Sequence, residues 1–228
     1  MKKLNIFFML LLPLCICGQQ KVEIGGFMGL ANYQGDLAPD PLVLSETKYS
    51  FGAFARYHYS DKVKIKANAM FGFISGSDLN DNNGGLRARG WSFESNLFEF
   101  SVVGEYHPLG KSRFGETGVF EKQISPYGFA GVGFVHSDPS IMTTRIEDAS
   151  LFPENDFSPT HLTIPFGLGI RADIFEFASL GVEGGWRFTN NDYLDGVKQN
   201  GNPDGRDLYM FVGATLSFFL GAIEGFNF

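Results

Sequence analysis

The sequence has little cysteine. Both of its cysteines, Cys15 and Cys17, lie within residues 1–18, which carry the pattern of a secretory signal peptide: two lysines, a short apolar run and a small residue at the expected cleavage site. We expect cleavage to leave residues 19–228 as the mature chain. That chain then has no cysteine, which excludes disulfide bonds, thiolate metal ligands and a cysteine nucleophile.

A cysteine near the cleavage site also raises the alternative of a lipoprotein, in which an acylated cysteine anchors the chain to a membrane. Leu14 precedes Cys15, and Ile16 precedes Cys17. A small residue is expected before such a cysteine, so these bulky side chains favour an unmodified chain.

Long hydrophobic runs and positive charge are also scarce. The N-terminal apolar run is shorter than the roughly 20 residues of a transmembrane helix, and no later segment resembles one. The chain has 18 lysines and arginines against 25 aspartates and glutamates, for a net charge of −7. Because nucleic-acid binding needs clustered positive charge, nucleic acid is not an expected partner. Dinucleotide and phosphate-binding glycine motifs are missing too, so we expect no cofactor.

What the chain does have is glycine, phenylalanine and a period of two. It contains 29 glycines and 25 phenylalanines. In the segment His161–Asp173 every even-numbered residue is apolar, and the residues between them are mostly small or polar. Because side chains alternate between the two faces of a strand, this pattern predicts strands with one apolar face. Eight such segments follow one another, the fifth with an ambiguous register: Val22–Tyr33, Tyr49–Tyr59, Val63–Ser75, Asn96–His107, Pro126–His136, His161–Asp173, Ser179–Thr189 and Asp207–Phe218.

A soluble sandwich or a lipocalin-like barrel has the same period, so the content of the polar face decides between them. That face carries small residues and charges of both signs, which suit a narrow lumen better than a water-exposed surface. The sequence therefore predicts an all-β fold, an eight-stranded antiparallel up-and-down transmembrane β-barrel with a small lumen filled by side chains. Aromatic residues concentrate near segment ends, as in the girdles of membrane barrels: Tyr57, Tyr59, Tyr106, Trp186, Phe188 and Phe218.

Charged residues on the polar faces are expected to point into the lumen and to pair there, because unpaired buried charges are costly. A salt-bridged plug is favoured over a conducting pore or a proton path, since eight strands leave little channel. The predicted lumen charges are Arg56, Lys64, Lys66, Glu99, Glu105, Arg171, Asp173, Glu183 and Arg187.

The links between segments predict an orientation. In even-stranded outer-membrane barrels both termini lie on the periplasmic side, where turns are short, and the external loops are longer. The fourth link, residues 108–125, is the exception because it is long yet periplasmic. It is either a flexible polar turn or a docking surface with exposed aromatic residues among charges. The candidate docking residues are Lys111, Arg113, Phe114, Glu116, Phe120 and Lys122.

Metal and catalytic sites are not expected. Residues 77–85 are acidic and contain glycine, but an EF-hand counted from Asp78 lacks its sixth-position glycine and its twelfth-position glutamate. The histidines lie at strand ends, and no nucleophile, base and orienting acid converge in the predicted layout. We therefore predict a protein that is not an enzyme. The histidines are His58, His107, His136 and His161.

Four longer runs share the features of one family. They are residues 23–39, 96–110, 125–139 and 164–197, and together they resemble the PorG-like outer-membrane proteins of Bacteroidota. The most specific steps are N-Y-x-G-D in the first run and R-F-T-x-x-D-Y-L-D in the last. These steps place the family motif at Asn32, Tyr33, Gly35, Asp36, Arg187, Asp192, Tyr193 and Asp195.

The resemblance implies a barrel of the type IX secretion machinery in the outer membrane. It implies two periplasmic ring proteins as partners, the lipoprotein PorK and PorN, besides the outer-membrane lipids. That machinery exports proteins with C-terminal signals and, in gliding species, supports gliding motility. The barrel would be a monomeric contact for the ring within a larger complex, and not the conduit. An outer-membrane structural or adhesin barrel, or a lipid-modifying enzyme, are the alternatives.

Overall fold

Eight antiparallel strands form one closed barrel in chain order, which confirms the predicted fold. The computed structural model describes residues 21–35, 37, 44–80, 86–87, 89–152, 158–190, 193–197 and 207–220, so the predicted signal peptide lies outside the described residues. The strands are β1 (Val22–Gln34), β2 (Lys48–His58), β3 (Val63–Ser77), β4 (Trp91–Tyr106), β5 (Ile124–Thr143), β6 (Thr160–Phe175), β7 (Ala178–Thr189) and β8 (Leu208–Leu220). Strand β1 closes the barrel by pairing with β8.

The barrel wall turns its apolar side outwards. On β6, Leu162, Ile164 and Leu168 are 39%, 48% and 73% exposed, whereas Thr163 and Arg171 are buried inside. A band of exposed apolar side chains around the whole molecule would aggregate in water, and it matches the hydrocarbon of a bilayer. The alternation therefore supports a membrane barrel and excludes the soluble alternatives.

Aromatic side chains lie near both ends of this wall. Amphipathic rings of this kind prefer the boundary between hydrocarbon and water. The predicted girdle residues all face outwards, with Tyr57, Tyr59, Tyr106 and Phe218 near one end and Trp186 and Phe188 near the other.

Two strands extend further than the alternation predicts. Strand β4 begins at Trp91 instead of Asn96, and β5 continues to Thr143 instead of ending at His136. Trp91 and Thr143 pair at the end of these two strands that lies farthest from the link between them, residues 107–123. The expected long loops on either side of the hairpin are correspondingly shorter.

Pro139 explains why the sequence predicts too short a β5. Proline lacks the N–H of a ladder and is therefore found on open strand edges. The N–H of Ser137 bonds to the carbonyl of Pro159 at 2.8 Å, on the β6 side of the strand. Because backbone directions repeat every two residues, Pro139 turns its missing N–H to that same side, where the pairing with β6 has already ended.

The two ends of the barrel carry different connections. We call the end where β1 begins and β8 ends the inner end; it has the short turns 59–62 and 176–177 and the longer link 107–123. The outer end has the other four connections, with short 3-10 helices at Leu44–Glu46, Asp78–Asn80 and Ile146–Leu151. Short turns at the end that holds both termini are typical of outer-membrane barrels, so we expect the inner end to face the periplasm.

The lumen is divided into two halves of opposite character. Its outer half holds a cluster of buried apolar side chains, the outer half-core: Phe27, Ala31, Tyr33, Leu37, Met70, Ile74, Trp91, Phe93, Leu97, Val135, Leu194, Val197, Tyr209 and Phe211. Its inner half is filled with charged side chains. Within the described part of the chain, no helix is long and apolar enough to cross a membrane.

Candidate functional site

The inner half of the lumen holds most of the predicted lumen charges. All nine predicted residues point into the barrel, and none is more than 7% exposed. We call the group at the inner half the inner charge network: Glu23, Arg56, His58, Lys64, Lys66, Glu105, Arg171, Asp173 and Glu183.

Arg56 lies at the centre of this network. Its Nη1 is 2.6 Å from Oε1 of Glu23, and its Nε is 2.8 Å from Oε2 of Glu105. Lys66 extends the chain of charges, with its Nζ 3.5 Å from Glu105 and 2.7 Å from Glu183. The hydroxyl of Tyr127 donates to Glu183 at 2.6 Å. Each of these carboxylates therefore accepts from a cation, which is the condition for holding buried charge.

Arg171 forms the second branch of the network. Its Nη2 is 3.2 Å from Oε2 of Glu23 and 3.0 Å from Oδ1 of Asp173. The His58 ring also reaches Glu23, with Nε2 2.8 Å from Oε2. The hydroxyl of Ser217 donates to the same carboxylate.

Glu23 joins both branches, and the sequence reasoning missed it. The available signal was its place on the alternating face of β1, which it shares with Phe27 and Tyr33.

Arg187 and Glu99 connect the network to the outer half-core. The Nε of Arg187 lies 3.2 Å from Oε2 of Glu99, which also accepts from the Tyr209 hydroxyl at 2.8 Å. The Arg187 guanidinium stacks over the Phe211 ring at 4.6 Å. The charges and the apolar cluster together fill the lumen from end to end, which is the plug that the sequence predicts.

Residues of the motif shared with PorG-like proteins meet at the outer mouth of this lumen. The hydroxyl of Tyr33 lies 2.7 Å from Oδ2 of Asp195 and 2.5 Å from Oδ1 of Asp207. These carboxylates also accept backbone N–H groups, from Val197 at 2.8 Å and from Leu194 at 2.7 Å. The segment 193–197 is thereby folded inward over the lumen, and the two motif runs meet at one point.

Gly35 owes its identity to the same contact. A Cβ at this position would lie 2.0 Å from the Tyr33 hydroxyl oxygen and 2.2 Å from Oδ1 of Asp207, so only glycine leaves room. Asn32 donates to Thr47 at 3.0 Å and so holds the chain after the first loop. Tyr193 is buried. The remaining motif positions, Asp36 and Asp192, lie outside the described residues.

The fourth link is folded, which argues against a flexible turn. Phe114 and Phe120 form a β-bridge, with their ring centroids 6.3 Å apart. The N–H of Glu121 donates to the Arg113 carbonyl at 2.9 Å, and the N–H of Gly115 donates to the Val119 carbonyl at 3.0 Å. We call residues 113–121 the inner hairpin. The expectation that both phenylalanines are exposed is wrong, because each is half-buried against the other.

Arg113 anchors the inner hairpin to the barrel. Its Nε is 2.9 Å from Oδ2 of Asp173, and its Nη2 donates to the carbonyl of Glu176 at 2.8 Å. Its guanidinium stacks on Phe219, 3.5 Å from the ring centroid. Arg113 therefore faces inwards and is unavailable as a docking residue, contrary to the expectation from its place among link charges.

The other charged residues predicted to take part in docking lie on the outer face of the link. Lys111, Glu116 and Lys122 are exposed. Two apolar residues that the sequence reasoning left out lie among them, Leu109 at 62% and Val119 at 65% exposure. Apolar residues surrounded by charges are typical of the centre and rim of a protein interface.

A serine, a histidine and a glutamate meet at the inner mouth, so the expectation that no such residues converge is wrong. Nδ1 of His107 lies 2.9 Å from Oγ of Ser125, and its Nε2 lies 3.3 Å from Oε2 of Glu105. The ring stacks on Tyr127 with centroids 4.7 Å apart and is fully buried. Oε2 of Glu105 also lies 2.8 Å from Nε of Arg56, so the imidazole shares this carboxylate with a guanidinium. The arrangement joins the link to the plug and leaves a substrate no access to Ser125.

His136 and the described part of the acidic loop, residues 77–80, are engaged in structural contacts. Nδ1 of His136 lies 3.1 Å from Oγ1 of Thr160, at the outer end and far along the barrel from His107. Both oxygens of Asp78 accept from Arg89 at 2.8 Å, which occupies the carboxylate that a calcium ion would need. No cluster of three or more metal-ligating side chains occurs among the described residues.

One family matches almost the whole sequence. It is described as "Domain of unknown function (DUF6089)", and it matches residues 2–227. The chain belongs to the DUF6089 family. No curated protein matches it in sequence.

The DUF6089 chain is similar in structure to surface barrels of other bacteria. Neisserial surface protein A (NspA) aligns with a TM-score of 0.54 at 10% identity, over 90% of this chain and 98% of that one. OprG from Pseudomonas aeruginosa aligns at 0.45 and 12% identity, over 90% and 100% of the two chains. Ail from Yersinia pestis aligns at 0.42 and 11% identity, over 87% and 99%. At such identities the likeness to NspA shows the fold alone.

Among the described residues, the contacts of Tyr33 with Asp195 and Asp207 lie at the outer mouth, ion pairs fill the inner half of the lumen, and the hairpin anchored by Arg113 lies at the inner mouth. The outer face of the fourth link is exposed at the inner end, as are Tyr59, Phe175 and Phe177 in and beside the two short turns.

Proposed function

We propose that the protein is an outer-membrane barrel of the type IX secretion machinery that docks to the periplasmic ring of PorK and PorN. The location is supported by the outward apolar wall and by the fold that the chain shares with outer-membrane barrels. The secretion role is supported by the resemblance of four sequence runs to PorG-like proteins. Resemblance in fold alone would not carry a function.

The observation that carries the proposal is the ordered inner hairpin. A turn whose sole task is to connect β4 and β5 needs only a few residues, whereas link 107–123 folds, pairs and is anchored by Arg113. Holding a loop in one conformation before binding lowers the entropy cost of association. The link presents Leu109 and Val119 to the side that we expect to be periplasmic, where the proposed ring partners would lie.

The filled lumen supports a contact role over a conduit. Most of its charges are paired across the barrel, so a polypeptide or a hydrated ion would have to displace the plug. The same packing supports a protein that is not an enzyme, since Ser125 and His107 are closed off by the link and by Tyr127.

Site-specific photo-crosslinking in cells tests the docking surface. We expect a photoreactive amino acid at Val119 to crosslink to ring proteins, because this side chain projects from the inner hairpin. The matched control is Leu79 at the outer end, which is 61% exposed and should give no such product. Crosslinks to the ring proteins from Leu79 and none from Val119 would contradict the proposal, because the ring would then contact the outer end of the barrel.

A double substitution measures how much the outer face of the link contributes to binding of the ring proteins. We expect Leu109→Asp with Val119→Asp to reduce co-purification of the ring proteins about tenfold, since interface anchors each cost more than 1 kcal/mol when lost. The variant should still show the heat-modifiable gel mobility of a folded barrel. Undiminished co-purification would show that the ring, if bound, uses another surface.

A further inference from the structure

A groove crosses the outward wall of the barrel over strands β4 to β7. It is a shallow, open depression of about 550 Å³ with an almost entirely apolar accessible surface, and Glu105 is the charged residue of its lining. Tyr106, Phe166, Leu168 and Trp186 rise along its sides, and all four belong to the lipid-facing surface. The groove is therefore continuous with the face that the barrel turns to the bilayer.

The strand register gives the course of this groove. Gly104 pairs with Ala130, Ala130 with Phe166, and Phe166 with Trp186, so one row of outward residues crosses four strands. At the usual strand spacing this row is roughly 14 Å long. It runs from a position near the inner end of β4 to one near the outer end of β7, obliquely through the apolar wall.

Two glycines in the floor are not required by packing inside the barrel. A Cβ on Gly104 would meet no heavy atom nearer than 3.9 Å, and one on Gly128 would lie 3.6 Å from Leu168. Gly131, which faces the lumen on the same strand as Gly128, is different, because its Cβ would lie 2.1 Å from the Val102 carbonyl. Larger residues at 104 and 128 would be tolerated by the barrel and would fill the groove.

We propose that this groove binds one acyl chain of a membrane lipid as an ordered ligand. Its lining is apolar and lies within the lipid-facing wall, so no polar peptide or water-soluble ligand matches it. A chain lying between Phe166 and Tyr106 gains close contact with ring faces that a flat wall does not offer. The phenol of Tyr106, in the inner aromatic girdle, is placed to hydrogen-bond the headgroup of the same lipid.

Native mass spectrometry of the barrel, extracted in a mild detergent, tests this proposal. We expect the unmodified protein to carry one phospholipid per barrel. Gly104→Leu and Gly128→Val fill the groove and should each reduce the lipid-bound fraction about tenfold. The matched control is Gly26→Leu, an outward position on β1 with similar room, where a Cβ would lie 3.7 Å from the Gly52 carbonyl oxygen.

Several results would overturn the proposal. They are an unmodified barrel that retains no lipid, equal retention by the filled and control variants, or a dimer that dissociates when the groove is filled. Heat-modifiable gel mobility shows which variants fold, and the two filling variants are independent of each other. Ring co-purification should be unchanged in both, so this proposal and the docking proposal can fail separately.

Discussion

The two halves of the lumen are filled by different kinds of interaction. The outer half is filled by apolar side chains such as Phe93 and Leu97, while the inner half is filled by ion pairs centred on Arg56. Apolar packing stabilises in proportion to buried area and tolerates changes that preserve volume. An ion network gives little net stability but penalises each missing partner heavily. The contrast teaches that the inner half is specified by charge pairing and the outer half by shape.

The two mouths do not follow this division as strictly. At the outer end, Leu194 and Val197 join the apolar cluster, beside the hydrogen bonds of Tyr33 to Asp195 and Asp207. At the inner end, Arg113 anchors the inner hairpin both by its ion pair with Asp173 and by stacking on Phe219. Each mouth therefore combines polar and apolar contacts.

The largest effect is expected from removing the central cation of the inner half. Arg56→Met leaves Glu23 and Glu105 buried without their main partner, and should lower the free energy of unfolding by about 3–5 kcal/mol. Urea titration of the barrel in lipid vesicles measures this change.

An exposed ion pair is the control for that substitution. Lys48 and Glu94 are 3.1 Å apart but 40% and 64% exposed, so Lys48→Met should cost less than about 1 kcal/mol. Equal losses of unfolding free energy in the two variants would mean that the ion pairs of the inner charge network contribute no more to stability than an exposed pair.

A smaller loss is expected from the outer half-core. Leu97→Ala opens a cavity among packed side chains, so the free energy of unfolding should fall by about 3 kcal/mol. The same change at Leu162, on the lipid-facing wall, leaves no internal cavity and should cost about 1 kcal/mol. If the Leu97→Ala barrel were as stable as its Leu162→Ala control, close packing of apolar side chains would not be what stabilises the outer half of the lumen.

The smallest effects are expected from changes in pH. Lowering the pH should reduce stability through a group at the inner end, and raising it should reduce stability through a group at the outer end. Burial lowers the pKa of His107 at the inner end, although the Glu105 carboxylate opposes this shift. The folded barrel therefore favours the neutral ring, and the resulting stability is present above about pH 6.5 and lost as pH falls towards the folded pKa. His107→Gln should flatten this loss in urea titrations at successive pH values.

The pKa of Glu46, at the outer end, shifts in the opposite direction to that of His107. Burial raises the pKa of its carboxyl, while the hydrogen bond from Asn80 opposes the shift. Its stabilising contribution is then present below about pH 4.5 and lost as pH rises through the folded pKa. Glu46→Gln should raise stability at neutral pH by about 1 kcal/mol. If unfolding free energy changed with pH in the same way in His107→Gln and Glu46→Gln, the opposite pH responses assigned to the two ends would be wrong.

The alternation in the sequence was sufficient to predict the wall and the faces of its strands. The period of two assigned Leu162 outwards and Thr163 inwards because side-chain direction in a strand is a local property. It failed at Pro139, since the tolerance of a proline depends on whether the neighbouring strand has ended. Such an edge is set by tertiary pairing and not by the residue itself.

Pairing within the lumen was beyond the reach of the sequence. Arg56 and Glu105 could be assigned to the interior, but their contact depends on register between β2, β3 and β4. The direction of Arg113 was misjudged for a related reason, because Asp173 and Phe219 approach the link only in the closed barrel. The meeting of His107 and Ser125 likewise depends on how the link between them folds.

The contact of Tyr33 with Asp195 and Asp207 has a consequence for how the barrel is assembled in the membrane. Tyr33 lies on the first strand and pairs with Tyr209 on the last, across the seam where the chain's two ends are joined. A slip of one residue at this seam would turn Tyr33 to the lipid and leave both carboxylates without its hydroxyl. The contact thus favours the seam in which Tyr33 pairs with Tyr209 over one slipped by a single residue, so the register that joins the first strand to the last is the one that also places a polar cap over the lumen.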